Sequence, residues 1–189
     1  MLEIKIKRDP YEKGEYLYKN SEYELNEGLN VIIGRNGIGK STFCHEVKEY
    51  CSKNKIPVFE YDNYNEGGKD AQQKYSFYSD FESLTSTLFH SEGEQIFYNL
   101  GKQIEQIGKF INSHKESKDI VIILDAIDSG LDIDGIRQLK EIINLIKNDA
   151  SYNSIYFVVT ANNYALVHES NCINVINGEH LTFNKFEDY

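Results

Sequence analysis

One stretch, GRNGIGKST from Gly34 to Thr42, limits what this chain can fold into more than any other. It follows a short apolar run, LNVII, and precedes FCHEVKEY, which has helical spacing. The pattern G-x-x-x-x-G-K-[ST] is met by Gly34, Gly39, Lys40 and Ser41. Each residue type has a physical reason. Glycines let successive backbone N–H groups turn inward around a phosphate. Lys40 is long enough to reach the β- and γ-phosphates, and the Ser41 hydroxyl is a ligand for Mg²⁺. A helix starting here aims its positive end at the anion. By average composition, a chance match in a chain of this length has odds on the order of one percent. The strand before it and the helix after it lower them further. A glycine turn with no ligand is the bland alternative.

The rest of the chain supplies the scaffold such a loop needs. LEIKIK alternates Leu2, Ile4 and Ile6 with charges and reads as a half-buried strand. The Tyr-rich YEKGEYLYKNSEYEL reads as a hairpin or short antiparallel strands. LNVIIG, IPVFEYD, KDIVIILD and SIYFVVT read as buried strands. Helices are expected at 40–53, from Gly93 through Ile111, and over IRQLKEIINLIKND. In CINVINGEHLTF, Asn177-Gly178 marks a hairpin. Alternating strands and helices predict an α/β domain with a mainly parallel sheet and antiparallel strands at both ends. At 189 residues, one domain spanning 1–189 is expected.

Charge and cysteine usage narrow the partners. Lys and Arg number 20 against 30 Asp and Glu, a net charge of −10. The longest basic run is KIKR, Lys5 to Arg8. An acidic surface is repelled by a phosphate backbone, so direct nucleic-acid binding is disfavoured. Cys44, Cys51 and Cys172 form no C-x-x-C pair, so no disulfide framework or zinc site is suggested. Cys44 and Cys51 would share one helix face as packing residues. No apolar stretch approaches membrane-spanning length and MLEIKIKRDP has no signal-peptide core. A cytoplasmic protein without membrane insertion is the expectation.

With these elements in place, GRNGIGKST resembles the G-x-N-G-x-G-K-S-T Walker A loop of ABC-type ATPases. Three further motifs follow in the order that resemblance requires. SEGEQ, Ser91 to Gln95, is similar to the signature motif that opens a helix. VIILDAIDSGLD resembles a Walker B strand ending at Asp125, with a D-loop from Ser129 to Asp132. YFVVTANN falls where the switch strand belongs. The resemblance covers about Val31 to Asn163 and implies a P-loop NTPase fold with a small signature-helix subdomain. It implies ATP and Mg²⁺ as cofactors. Gly34, Asn36, Gly37, Gly39, Lys40, Ser41 and Thr42 would hold the nucleotide, and Ser41 and Asp125 the metal. Ser91 and the Gly93 N–H would bind the γ-phosphate of a second subunit, which makes an ATP-sandwiched homodimer the expected assembly. For SEGEQ the alternative is a helix cap, Ser91 at N-cap with Glu94 at N3.

The departures bear on catalysis. Where the family places a glutamate base, this chain has Ala126. Where the switch delivers a histidine, it has Ala161, Asn162 and Asn163. Asp128 is a candidate relocated carboxylate and Asn162 a candidate switch residue, while Asp62 or Asn63 stands near the expected glutamine loop and Gln72 and Gln73 lie further along. Tyr11, Tyr16 and Tyr18 are candidates for stacking on adenine. Loss of a positioned base typically costs about 10²–10⁴-fold in rate, whereas binding need not suffer. Slow hydrolysis is therefore expected. The absence of long heptads excludes a head with its own coiled coil. The wording DAIDSGLD leans towards the soluble SMC, Rad50 and RecF-like branch, as a small stand-alone bacterial ATPase with a further protein partner. A transporter's nucleotide-binding subunit and a non-hydrolysing binding module are the alternatives.

Overall fold

The computed structural model describes residues 1–62, 92–129, 131–149 and 153–188. Its centre is a sheet of six strands: β3 (Gly28–Ile33), β4 (Val58–Asp62), β5 (Asp119–Asp125), β6 (Ser154–Thr160), β7 (Asn171–Asn174) and β8 (His180–Leu181), in the order β4-β5-β6-β3-β7-β8. All neighbours are parallel except the edge pair β7–β8. That antiparallel pair flanks the Asn177-Gly178 turn, as the dipeptide predicts, and Gly178 has φ 71°. Strand β6 separates β3 from β5. The carboxyl ends of the loop-bearing strand and of the aspartate-bearing strand therefore open on the same edge, with the end of β6 between them.

The central strands are apolar on both faces because both faces are covered. Ile120, Ile122 and Leu124 of β5 pack into one cluster with Ile107 of α2 (Glu92–Ser113) and Ile136, Leu139 and Ile143 of α3 (Ile133–Asp149). Val121 and Ile123 alternate to the other face, against Phe43, Cys44, Val47 and Cys51 of α1 (Lys40–Lys53). Each fully buried side chain of Ile or Phe size contributes roughly 1.5–3 kcal/mol. Cys44 and Cys51 do lie on one face of α1 as buried free thiols.

The helices at 40–53 and from residue 92 begin where the sequence places them. In the N-terminal region, of the two expected forms, short antiparallel strands are found. Strands β1 (Leu2–Lys5) and β2 (Glu22–Leu25) pair antiparallel in a separate two-stranded sheet, Ile4 opposite Tyr23. Within the chain between them, residues 9–18 form no strands of their own. The Asp9 carboxylate accepts the Lys13 and Gly14 N–H groups, and the Arg8 carbonyl accepts those of Leu17 and Tyr18. These acceptors take the donors a hairpin ladder would need, so 9–18 closes into a loop. The third helix starts at Ile133, earlier than its apolar periodicity suggests, because Asp132 Oδ1 accepts the Gly135 N–H at 2.7 Å and caps it. A short α4 (Tyr164–Val167), capped by Asn163, was not foreseen. Of the expected signature-helix subdomain, the tract at 63–91 lies outside the described residues.

Candidate functional site

The loop between β3 and α1 takes its shape from its glycines. Gly39 sits at φ 102°, ψ 24° as the N-cap of α1. A Cβ there would lie 2.7 Å from Leu17 Cδ2, the end of a flexible side chain that could shift, so it is the left-handed conformation that calls for glycine. Gly39 carries no capping side chain, and the first turn of α1 contains no acidic residue. The helix therefore begins with open N–H groups and an uncompensated positive end, an arrangement that favours anions. Lys40 is nearly buried, with Nζ donating to the Gly34 carbonyl at 2.8 Å. Burial depresses the pKa of its ammonium, and the charges of Asp128 and Asp125 oppose that shift.

Asn36, Gly37, Gly39, Lys40, Ser41 and Thr42 line one cavity of about 450 Å³ together with Asp125, Ala126, Thr160 and Asn162 from across the sheet edge. That volume lies within the usual range for small-molecule sites, about 300–1,000 Å³. Gly34 stands behind the cavity, its carbonyl engaged by Lys40.

On the far wall, Asp125 is buried at the end of β5. Its Oδ1 accepts the Thr160 hydroxyl at 2.6 Å, and Thr160 Oγ1 in turn accepts the Ala126 N–H at 2.7 Å. Thr160 thus fixes one oxygen of the aspartate and the turn that follows it. The sequence reading missed Thr160; a hydroxyl closing the strand as the first residue of TANN was its only local signal. Ala126 lines the cavity with φ 53°, in the left-handed region that non-glycine residues seldom adopt.

The candidates fall at different depths. Asn162 stands on the cavity wall. Asp128 is 4% exposed and is not on that wall. Its Oδ2 accepts the backbone N–H groups of Asn162 and Asn163, at 2.6 and 2.7 Å. Burial raises its pKa, which those two hydrogen bonds and the Lys40 charge partly counter. Gly93 lies in the first turn of α2. Ser91, Asn63, Gln72 and Gln73 lie outside the described residues.

The 9–18 loop closes over the start of α1 and sorts the three tyrosines. Tyr18 is fully buried, edge-on to Phe43, and donates to the Gly39 carbonyl at 2.9 Å, so it braces the loop from behind. Tyr16 is exposed with the Arg8 guanidinium over its ring at 4.2 Å. Tyr11 alone of the three lines the cavity, its hydroxyl 2.9 Å from Thr42 Oγ1.

A model of the ATPase family associated with various cellular activities (AAA) matches residues 31–173, from β3 into β7. No curated protein matches the chain significantly. Among solved structures, cbiO1 from Clostridium perfringens, described as part of the ABC transporter complex cbiONQ, superposes with a TM-score of 0.51 at 14% identity. The alignment covers 94% of this chain and 84% of that one. At that identity the likeness is one of fold, and it is at the level of fold that the ABC-type expectation is met. The family match spans most of the chain and the mostly parallel sheet flanked by helices is the fold it calls for: the chain belongs to the ATPase family associated with various cellular activities, as an α/β P-loop ATPase.

Proposed function

We propose that the chain is an ATP-dependent switch of the ABC type, closing as an ATP-sandwiched homodimer and hydrolysing its nucleotide slowly. The observation that carries this reading is the position of Ala126. It forms part of the cavity wall directly after Asp125, where its methyl group can neither orient nor deprotonate a water. Everything that binding needs stands on the same cavity: the open end of α1, Lys40, Ser41 and Asp125. The donor set suits Mg²⁺, since the Ser41 hydroxyl and the Asp125 carboxylate are hard oxygen ligands facing one space. When bound, that ion would screen the phosphate charges. Lys40 would leave the Gly34 carbonyl for the phosphates, and Asn162 would offer its amide to the terminal one. Tyr11 is the residue placed to meet the base.

The dimer follows from the resemblance of SEGEQ to a signature motif. Sedimentation with a slowly hydrolysed ATP analogue is expected to give a dimer that Ser91→Arg abolishes. A monomer carrying bound analogue at high concentration would refute the homodimer. Phosphate release is expected well below one turnover per second, against a usual range of about 1–10³ s⁻¹.

The fold likeness to cbiO1 favours a second reading, a nucleotide-binding subunit of a transporter. No helix among the described residues is long and apolar enough to cross a membrane. That reading would pair the chain with a separate membrane protein, and co-purification with one would favour it over the stand-alone SMC- or RecF-like reading.

A further inference from the structure

The end of β6 poses a problem of hydrogen-bond accounting. The Ala161 N–H still pairs with the sheet, donating to the Ile32 carbonyl at 3.1 Å. Beyond it the chain leaves the sheet. The next two backbone donors, Asn162 and Asn163, both turn to Asp128 Oδ2. Asn163 then caps α4, its Oδ1 accepting the Ala165 N–H at 2.9 Å. Asp128 itself belongs to the turn after β5, closed by the Ser129 N–H to the Ala126 carbonyl at 3.1 Å. One buried carboxylate oxygen therefore joins two turns that are more than thirty residues apart in sequence.

We propose that Asp128 is a positioning residue: its carboxylate fastens the turn after β5 to the turn after β6 and so holds Asn162 on the cavity wall. This rests on the nucleotide reading of that cavity and goes beyond it by giving Asp128 a role other than base. A base must place a lone pair within hydrogen-bond reach of the attacking water. Asp128 is not among the residues lining the cavity, and its Oδ2 is already committed to two amides. Its Oδ1 is buried with no hydrogen-bond partner among the described residues. What the carboxylate can do from this position is fix the backbone of Asn162. Asn162 is the cavity residue of the switch segment, so its placement governs how the site reads the phosphate that distinguishes ATP from ADP.

The test compares Asp128→Ala with Asp128→Asn. An asparagine oxygen still accepts both N–H groups, whereas alanine leaves them unpaired. Calorimetry with ATP and with ADP is expected to show the ratio of the two affinities falling by about fivefold or more in D128A. In D128N the ratio should stay within about twofold of wild type. An unchanged ratio in D128A overturns the proposal. So does a D128N variant that loses phosphate release as completely as D128A with its affinity ratio intact, because that result makes the carboxylate a base. Amide hydrogen exchange on the wild-type chain supplies a readout independent of variant folding. The Asn162 and Asn163 amides should be protected without nucleotide, and exchange of both at loop rates would overturn the brace. Failure of the wild type to bind ATP would sink the nucleotide reading, while amide protection would still decide whether the brace exists.

Discussion

The two walls of the cavity differ in what holds their functional groups in place. One wall comes from the contiguous loop Gly34–Thr42, of which Asn36, Gly37 and Gly39 to Thr42 face the cavity. Its shape comes from glycine dihedrals, and its working groups are open backbone N–H donors and a lysine seated on its own loop. The opposite wall joins the ends of β5 and β6 through side chains. Thr160 holds Asp125 and Ala126, and Asp128 holds Asn162 and Asn163, in contacts spanning 34 or 35 residues. A phosphate cradle can thus be written locally. The geometry that would direct a water onto the bound phosphate is distributed over separate segments. A substitution on the second wall can therefore alter turnover and leave the first wall, and with it binding, intact. On the proposed reading, Ala126 is that kind of substitution.

The largest expected effect restores what the second wall lacks. Ala126→Glu places a carboxylate on the cavity side of Asp125, and phosphate release should rise by about 10²-fold or more if the missing base limits the rate. An unchanged, measurable rate would break the contrast, because the limitation would then lie outside this wall. No release from either protein would make the chain a pure binding module, with Asp125 serving only to hold the ion. A brisk wild-type rate would show that another group supplies the base.

Next in size is the loss of the first wall's cation. Lys40→Ala removes the charge beside the loop amides and should weaken Mg-ATP binding by about ten- to a hundredfold in calorimetry, the range of a charge-assisted hydrogen bond. Unchanged affinity would end the phosphate-loop assignment. The smallest effect sharpens the edge of the same wall. Tyr11→Ala should weaken ATP about fivefold, the scale of one aromatic stacking contact, with Tyr16→Ala close to wild type. Equal losses in both variants would mean that the 9–18 loop acts as a unit and not through the Tyr11 ring.

How much of this could be read from the sequence follows the same division. The phosphate loop, the limits of α1, the buried strands and the Asn177-Gly178 hairpin all rest on local rules. These are glycine spacing, apolar periodicity and turn chemistry, each contained within a few residues. The family's motif order located Asp125 and Asn162 on the cavity without any knowledge of the sheet order. The first turn of α3 was hidden because its cap, Asp132, read as the last residue of a D-loop, so apolar spacing alone began the helix too late.

The sequence by itself determined the phosphate-loop pattern and its place between β3 and α1, because glycine spacing and the position of Lys40 at the start of the helix are local features. It also determined that no carboxylate follows Asp125. Only the tertiary structure decided that Tyr18 is a core brace and Tyr11 a cavity residue, although the two lie in one Tyr-rich stretch. Only the tertiary structure brought Thr160 to Asp125, and Asp128 to the amides of Asn162 and Asn163. The physical reason is that β6 lies between β3 and β5. That strand order makes neighbours of turns distant in the chain, and a side chain's hydrogen-bond partner is set by which strand end lies beside it.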